Sequence, residues 1–514
     1  MANWTGKPLE QIWAEGWQSV DPALKRAFLA VIVISLLAFG FEMTNLTLHH
    51  DDLAQIFIQD TILGHYLGRF GAGWLHYYTQ NAHFMPFLQM AEGIVVMAMY
   101  GLLVARFWGL RKTLDLTLVA AVMCVFPYMA QVYQYNSTMA SYSVAHLLAA
   151  LAVILSTRAT VRHVLMAAVA YLAAFSIYQS IIANAAAILG IWLLSRTVVG
   201  QARSNQEPDG LFSKATIRSA IAAAIAVGIG GLFYVAAVSQ MDLHFDAYQG
   251  AGDAFSFKNG LQLSVALPEI VTGTRSFFLW PESYFPDYLK KLQLIFLLIA
   301  AAFCLWLPKG IVNKFAALAV LLICLFTPRL LQLLHPTGTF HNLTLTAYAV
   351  VVAGCLTIIF RSGFMRVRNL TVLLACFLVG GYLIQSNWIS TVGYLNTQAH
   401  YSAMTQLMTQ LKSLPAAGWD GKTVAVQGHR AMYSGYPFKP ATGIASEFID
   451  TGHMQWMAHL LREDMTFIDM ADAPASARDY AAQQAPWPRP GSLGVAGGMA
   501  VLVLSKPIGK ADVE

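Results

Sequence analysis

The run AFLAVIVISLLAFGFEMTNLT, residues 27–47, leads almost directly into HHDDLAQIFIQDTILGHYLGRFGAGWLHYYTQ, residues 49–80. The first stretch matches the ~20 residues that a bilayer-spanning helix needs. The second opens on two adjacent carboxylates, Asp51 and Asp52, and places Leu53, Ile56, Phe57, Leu63, Leu67 and Phe70 at three-and-four spacing. That spacing predicts an amphipathic helix whose apolar face lies along a membrane surface. Arg69 sits beside glycines in the same stretch. Acid, base and aromatics at a water–lipid boundary point to chemistry on a substrate held partly in lipid.

Composition agrees with that reading. Of the 514 residues, 57% are hydrophobic and 11% charged, against roughly 25% charged in an ordinary soluble domain. A polytopic membrane protein is the expectation. The net charge of +5 needs no nucleic acid, because membrane proteins collect Lys and Arg in cytoplasmic loops. The five cysteines (Cys124, Cys304, Cys324, Cys355, Cys376) all lie in apolar runs without a CxxC. A disulfide framework and a Cys-based zinc site are therefore not expected. Some 26 polar residues precede the first apolar run, so no cleavable signal peptide is read there. Within them Leu9, Ile12, Trp13, Trp17 and Val20 repeat at helical spacing, as a short interfacial helix on the cytoplasmic face would.

Runs near the spanning length occur at 27–47, 84–107, 112–131, 139–157, 162–178, 180–198, 216–238, 290–307, 311–327, 342–360 and 369–387, eleven in all. With the N-terminus in the cytoplasm, the inner loops carry Lys25, Arg26, Arg106, Arg111, Lys112, Arg158, Arg162, Arg196, Arg203, Lys214, Arg218, Lys309, Lys314, Arg361, Arg366 and Arg368. Outer segments before the last span carry only Arg69, Lys258, Arg275, Lys290, Lys291 and Arg329. This is the positive-inside pattern. Polar aromatic material gathers outside: QVYQYNST at 131–138, a loop over 239–289 with Asp242, His244, Asp246 and Asp253, and TPRLLQLLHPTGTFHN with Arg329, His335 and His341. From about Ser390 the composition turns soluble. A helix is predicted at 398–414 and another around Met454–Leu461, with strands at Thr423–Gln427, Thr466–Met470 and Met499–Ser505. The domain reading is an interfacial helix over 1–26, an all-α transmembrane catalytic domain over 27–389 with outer loops 48–83 and 239–289, and a small α/β periplasmic domain over 390–514.

The candidate site residues come from the outer segments. An Asp ahead of an amphipathic helix caps it by accepting a first-turn N–H. One of Asp51 and Asp52 fits that role, and the other is free to face a cavity as general base. Arg69 and Arg329 each have two readings: snorkelling to headgroups, or gripping a phosphate with two parallel hydrogen bonds. Arg275, Lys290 and Lys291 are weaker phosphate candidates. Tyr178 and Gln179 form a helix-hairpin turn that also offers a ring and an amide to a sugar. Tyr133, Tyr135, Tyr142, His146 and His341 offer similar groups, and belt or packing roles compete for the tyrosines and His146. Contiguous side chains diverge, so the run His49-His50-Asp51-Asp52 is not read as a metal site. Gly228, Gly230 and Gly231 lie inside a span and serve close helix packing.

An outer Asp-Asp after the first span, followed by a helix carrying Gly68-Arg69, resembles the GT-C class of polytopic glycosyltransferases. The Tyr178-Gln179 hairpin, the arginine after the ninth run and the outer C-terminal domain are similar to the glucosyltransferase II family, which modifies bacterial O-antigen. The resemblance implies an undecaprenyl- or other polyprenyl-phosphate sugar donor, most simply glucose, and an inner-membrane protein with its active site facing the periplasm. It further implies an inverting transfer to a lipopolysaccharide-like glycan acceptor, with Asp52 or Asp51 as base and no cofactor. Enzymes that make and flip the donor would be its partners. A lipid-linked oligosaccharide transporter is the rival from another class, and it too places charges against a cavity. Against it stand the absence of matched halves and the concentration of polar residues on one face. A polysaccharide polymerase or ligase is a nearer rival.

The topology is directly testable. A periplasm-dependent reporter fused after Lys412 should be active and one fused at Lys214 silent; the reverse pattern would overturn the orientation.

Overall fold

The computed structural model describes residues 8–48, 50–57, 68–199, 210–241, 262–280, 282–334, 340–415, 417–431 and 448–506, and for Leu9, Ile12, Trp13, His50, Asp51, Ala54, Val199, Ala431 and Phe448 the backbone alone. His49, Leu63, Leu67, Arg203, Asp242, His244, Asp246, Asp253, Lys258 and His335 lie outside the described residues.

Helix α1 (Leu9–Ser19) precedes α2 (Pro22–Thr44), which starts where Asp21 accepts the Ala23 N–H with Pro22 in the first turn. Then follow α3 (His50–Phe57), α4 (Phe70–Gln80), α5 (Pro86–Phe107), α6 (Thr113–Cys124), α7 (Pro127–Tyr133), α8 (Met139–Ser156), α9 (Val161–Ile177), α10 (Ile181–Val199), α11 (Lys214–Val238), α12 (Leu263–Leu279), α13 (Asp287–Trp306) and α14 (Ile311–Phe326). Two 3-10 segments, Thr327–Leu333 and Asn342–Leu345, lead into α15 (Ala347–Arg361) and α16 (Met365–Lys412). Among the described residues nine helices are long and apolar enough to cross a membrane.

Three of the eleven predicted spans differ in form, and two of them, 112–131 and 162–178, fall outside the nine: the second forms the 17-residue α9. The run at 112–131 is broken: α6 and α7 meet at 57°, because Pro127 lacks an N–H and its ring cannot continue the preceding turn. The last span does not stop near residue 387. It continues as one helix of 48 residues through the stretch 398–414, about 70 Å in length against a ~30 Å hydrocarbon core. It therefore carries the chain bodily into the C-terminal layer.

The 342–361 span is the most enclosed, 89% buried. Its sequence AYAVVVAGCLTIIF offers small and β-branched side chains on every face, so neighbours can pack all round. Gly230 permits the close approach of α11 to α9: a Cβ there would lie 2.8 Å from the Ala168 carbonyl oxygen, whereas Gly228 and Gly231 face nothing within 4 Å.

The C-terminal layer is a four-stranded sheet in the order β4 (Thr466–Asp469), β1 (Thr423–Gln427), β6 (Met499–Val503), β5 (Leu493–Ala496). The first three strands run parallel and β5 is antiparallel to β6. A short pair, β2 (Arg430–Ala431) and β3 (Phe448–Ile449), stands apart. Strand alternation sorts the two faces. Val424 and Val426 face the end of α16 and helix α17 (Thr451–Leu460), while Ala425 faces α18 (Ala475–Gln483). The α17 side of this core also takes in Leu48 and Leu53 from the far N-terminal part of the chain.

Helix α4 rests on α9 through Gly71, where a Cβ would sit 2.1 Å from Ser176 Oγ. Overpacking of this kind costs ~1–3 kcal/mol. Gly71→Ala should lower the thermal unfolding temperature of the detergent-solubilised protein. The double variant with Ser176→Gly should be more stable than the sum of the two singles. Additive effects would place the strain elsewhere.

Candidate functional site

Asp52 is fully buried, near the start of α3. Its Oδ1 accepts the Ser137 N–H (3.1 Å) and the Ser137 hydroxyl (2.9 Å). Its Oδ2 accepts the Asn136 N–H (3.3 Å) and Asn136 Nδ2–H (3.1 Å). Two donors on each oxygen fill the roughly four lone-pair positions of a carboxylate. Those donors exist because α7 ends at Tyr133 and helix resumes only at Met139, leaving backbone N–H groups of the intervening turn without helical partners. Asn136 Nδ2 donates as well to the Thr47 carbonyl at 2.5 Å, and the Thr47 hydroxyl donates to Glu42 on α2. One chain of hydrogen bonds thus joins the first span, the helix after it and the turn between α7 and α8.

Arg69 occupies the N-terminal flank of α4, with its guanidinium 4.9 Å above the Tyr178 ring. Its Nε is buried and has no hydrogen-bond partner among the described residues. Tyr178 ends α9, and Tyr178-Gln179-Ser180 is the turn into α10, as the hairpin reading expects. Gln179 Nε2 donates to the Tyr234 hydroxyl (2.7 Å), which donates to the Gly68 carbonyl (3.3 Å). The turn therefore grips the backbone immediately before Arg69. Tyr178 packs on Tyr142 (4.6 Å) and Tyr142 on His146 (4.7 Å). Tyr142 donates to the Leu343 carbonyl, and His146 Nε2 lies 3.4 Å from Thr346 Oγ1.

Arg329 lies in the 3-10 segment after α14, donating from Nε to the Tyr348 hydroxyl at 3.2 Å. Tyr348 in turn donates to Thr274 Oγ1 (3.4 Å) and stacks on Phe277 (3.8 Å between centroids). Gly273 makes room for the guanidinium: a Cβ there would fall 2.1 Å from Arg329 Cζ. Thr346 touches the Arg69 cluster and Tyr348 the Arg329 cluster, so both clusters meet at the start of α15.

The remaining predicted residues are less central. Arg275 is exposed, two residues from Gly273. Lys290 is buried and pairs with Glu282 (3.4 Å) and the Trp280 carbonyl, and Tyr128 donates to Glu282 at 2.6 Å. Lys290 thus already has a carboxylate partner, and Lys291 is exposed. Tyr135 is half-buried in the 134–138 turn, where its carbonyl accepts the Thr138 N–H. His341 is half-buried, with its carbonyl accepting the Thr344 hydroxyl at 2.7 Å at the start of the second 3-10 segment. Sequence reasoning passed over Glu42, Thr47, Asn136, Ser137, Tyr234, Thr346 and Tyr348. A lone acid inside an apolar run was a signal for Glu42. The others are ordinary residues made important by position. Among the described residues no group of three or more His, Cys, Asp or Glu side chains gathers to hold a metal.

At one end of the bundle the chain thus brings together a fixed carboxylate, a guanidinium with an open donor, a second guanidinium on a tyrosine, and a wall of rings. No curated protein matches the chain. The family model described as Glucosyl transferase GtrII matches residues 40–358, well over half of the chain and every element of this end except the middle of α16 and the C-terminal layer. The protein belongs to the glucosyl transferase GtrII family.

Proposed function

We propose that this glycosyltransferase moves a sugar, glucose by the family's name, from a polyprenyl-phosphate donor to a glycan acceptor on the periplasmic side of the bacterial inner membrane. The observation that carries the reading is Arg69: a guanidinium braced on Tyr178, with a buried Nε that lacks a partner among the described residues. A buried donor left unmade costs ~1–3 kcal/mol, and a phosphate oxygen is the group that satisfies it best.

In the reaction a hydroxyl of the acceptor attacks the anomeric carbon from the side opposite the phosphate. The carbon–oxygen bond to the phosphate breaks, the configuration inverts, and polyprenyl phosphate leaves with a second negative charge. Arg69 and Arg329 stabilise that charge where it develops. Tyr348 and Gly273 fix Arg329 from two sides, which limits its reorganisation. The exposed Arg275 supplements the field. Tyr178, Gln179, Tyr135 and His341 line the approach for the sugar rings. The acceptor proton goes to the Asp51–Asp52 pair. Asp52 takes a proton only by releasing one of its present donors, and the Ser137 hydroxyl is the one able to rotate away. Asp51, beside it, is the alternative base.

The test uses purified protein, acceptor and synthetic polyprenyl-phosphate sugar, with nucleotide sugar and EDTA as parallel arms. Transfer should require the lipid donor and survive EDTA. Arg69→Lys and Arg329→Lys keep the charge but lose the fork, and activity should fall sharply with membrane insertion intact. Asn at Asp52 or at Asp51 should cost ~10²–10⁴-fold. Transfer from the nucleotide sugar alone, or full activity in both Asn variants, would overturn the corresponding assignment.

A further inference from the structure

The family match ends at residue 358, which leaves the C-terminal layer without an assigned role. Its packing suggests one. Helix α3 has only eight residues, too few to hold a position in water without tertiary support. On one side Asp52 reaches the 136–137 turn of the bundle. On the other, Leu53 and Ile56 enter the core of the C-terminal layer, among Met404, Leu407 and Met457. Phe57 stacks on Trp456, rings 9° from parallel and 6.0 Å apart, with His459 also beside it. The segment just before α3 is held the same way: the Leu48 N–H points to Thr397 Oγ1 at 3.5 Å, and Leu48 is buried in that core.

Below Leu48 and Leu53 the two parts of the C-terminal layer are themselves joined. His400 on α16 and His453 on α17 are both buried, with Nδ1 of the first 2.8 Å from Nε2 of the second. A small cavity between this pair, Leu48, Leu53 and Met457 marks the seam. The long α16 thus carries a platform, and α3 is wedged between the platform and the bundle.

We infer that the C-terminal layer is a positioning element: by seating Leu53, Ile56 and Phe57 it sets where Asp52, and the Asp51–Asp52 base with it, stands relative to the bundle. The catalytic half of that statement rests on the proposed function, and the structural half does not. Displacing a reacting group by about 1 Å costs on the order of 10²-fold in rate, so a loosened seat has a large effect on turnover without touching the donor's arginines.

The experiment compares Trp456→Ala, Trp456→Phe and Phe57→Ala in the full-length protein, with two readouts. Hydrogen exchange over residues 50–57 should speed up in both alanine variants while exchange in α6 and α15 stays unchanged. Turnover should fall ~10-fold or more in the alanine variants with the donor KM unmoved, and Trp456→Phe should restore both, because a smaller ring still stacks. Unchanged protection at 50–57 in both alanine variants would overturn the positioning role, whatever the reaction turns out to be. A loss confined to donor KM would overturn it in favour of donor binding by the layer. Increased exchange with unchanged turnover would overturn only the assignment of the base to this helix, and leave the seat itself standing.

Discussion

A carboxylate buried at the end of a helix bundle is tolerable only if its oxygens are met by donors, since an unpaired buried charge costs far more than a neutral polar group. Asp52 is met by two backbone N–H groups, an amide and a hydroxyl, all from two consecutive residues. That requirement constrains much else. A helix running unbroken from α7 into α8 would have no spare N–H groups to offer at 136 and 137, so the turn between Tyr133 and Met139 is what makes the burial of Asp52 affordable. Asn136 must keep one side-chain hydrogen on Asp52 while it meets Thr47, which fixes how the first span ends. The position of the acid, the bend in the chain and the exit from α2 are one constraint seen from three places.

The same logic recurs at both arginines. Each lies where helix gives way: Arg69 at the flank of α4, and Arg329 within a 3-10 segment at a non-helical φ/ψ. Non-helical backbone within a membrane protein is tolerated where protein or polar groups satisfy it, and here tyrosines and threonines do so. Tyr234 caps the Gly68 carbonyl, Tyr142 the Leu343 carbonyl, and Tyr348 joins Arg329 to Thr274. The interruptions that make the spans irregular are the sites where chemistry-bearing side chains emerge.

Much of this was legible in the sequence, for physical reasons. Hydropathy is a sum over twenty residues, so most long helices were found as apolar runs. The exception is α12 (Leu263–Leu279), which formed inside the stretch read as the outer loop 239–289. The strand at Thr423–Gln427 was read to the residue because alternating valines favour an extended chain. Asp52 and Arg69 stood out as polar exceptions on an apolar background, and the Tyr178-Gln179 turn was read where α9 ends. Three things were hidden. The 57° break looked like one run, because a proline in an apolar stretch alters hydropathy little. The continuity of α16 was masked by the change from lipid-facing to water-facing composition along a single helix. The partners of Asp52 were invisible because Asn136 and Ser137 lie more than eighty residues away, and only the fold says which of many Asn-Ser pairs will meet an aspartate.

The buried polar groups at this end are not all accounted for by one another. Glu42 Oε2, Asn136 Oδ1, Gln134 Oε1 and both ends of the Asn396 amide have no partner among the described residues. They lie along the chain from α2 through the 134–137 turn to the middle of α16. An interior selected for stability alone would replace such groups with apolar ones, since each costs more buried and unpaired than absent. Retaining them makes physical sense if this seam must exchange partners as a polyhydroxylated substrate arrives and leaves. A seam of that kind is weak by construction, and it runs between the bundle and the platform that seats α3. On the proposed reaction, the stiffness that Asp52 needs then has to come from outside the seam, from the apolar contacts of Leu53, Ile56 and Phe57 with the C-terminal layer. Polar looseness beneath the acid and apolar grip behind it are complementary demands, and on the proposed positioning role they account for an unbroken helix that joins the C-terminal layer to the bundle.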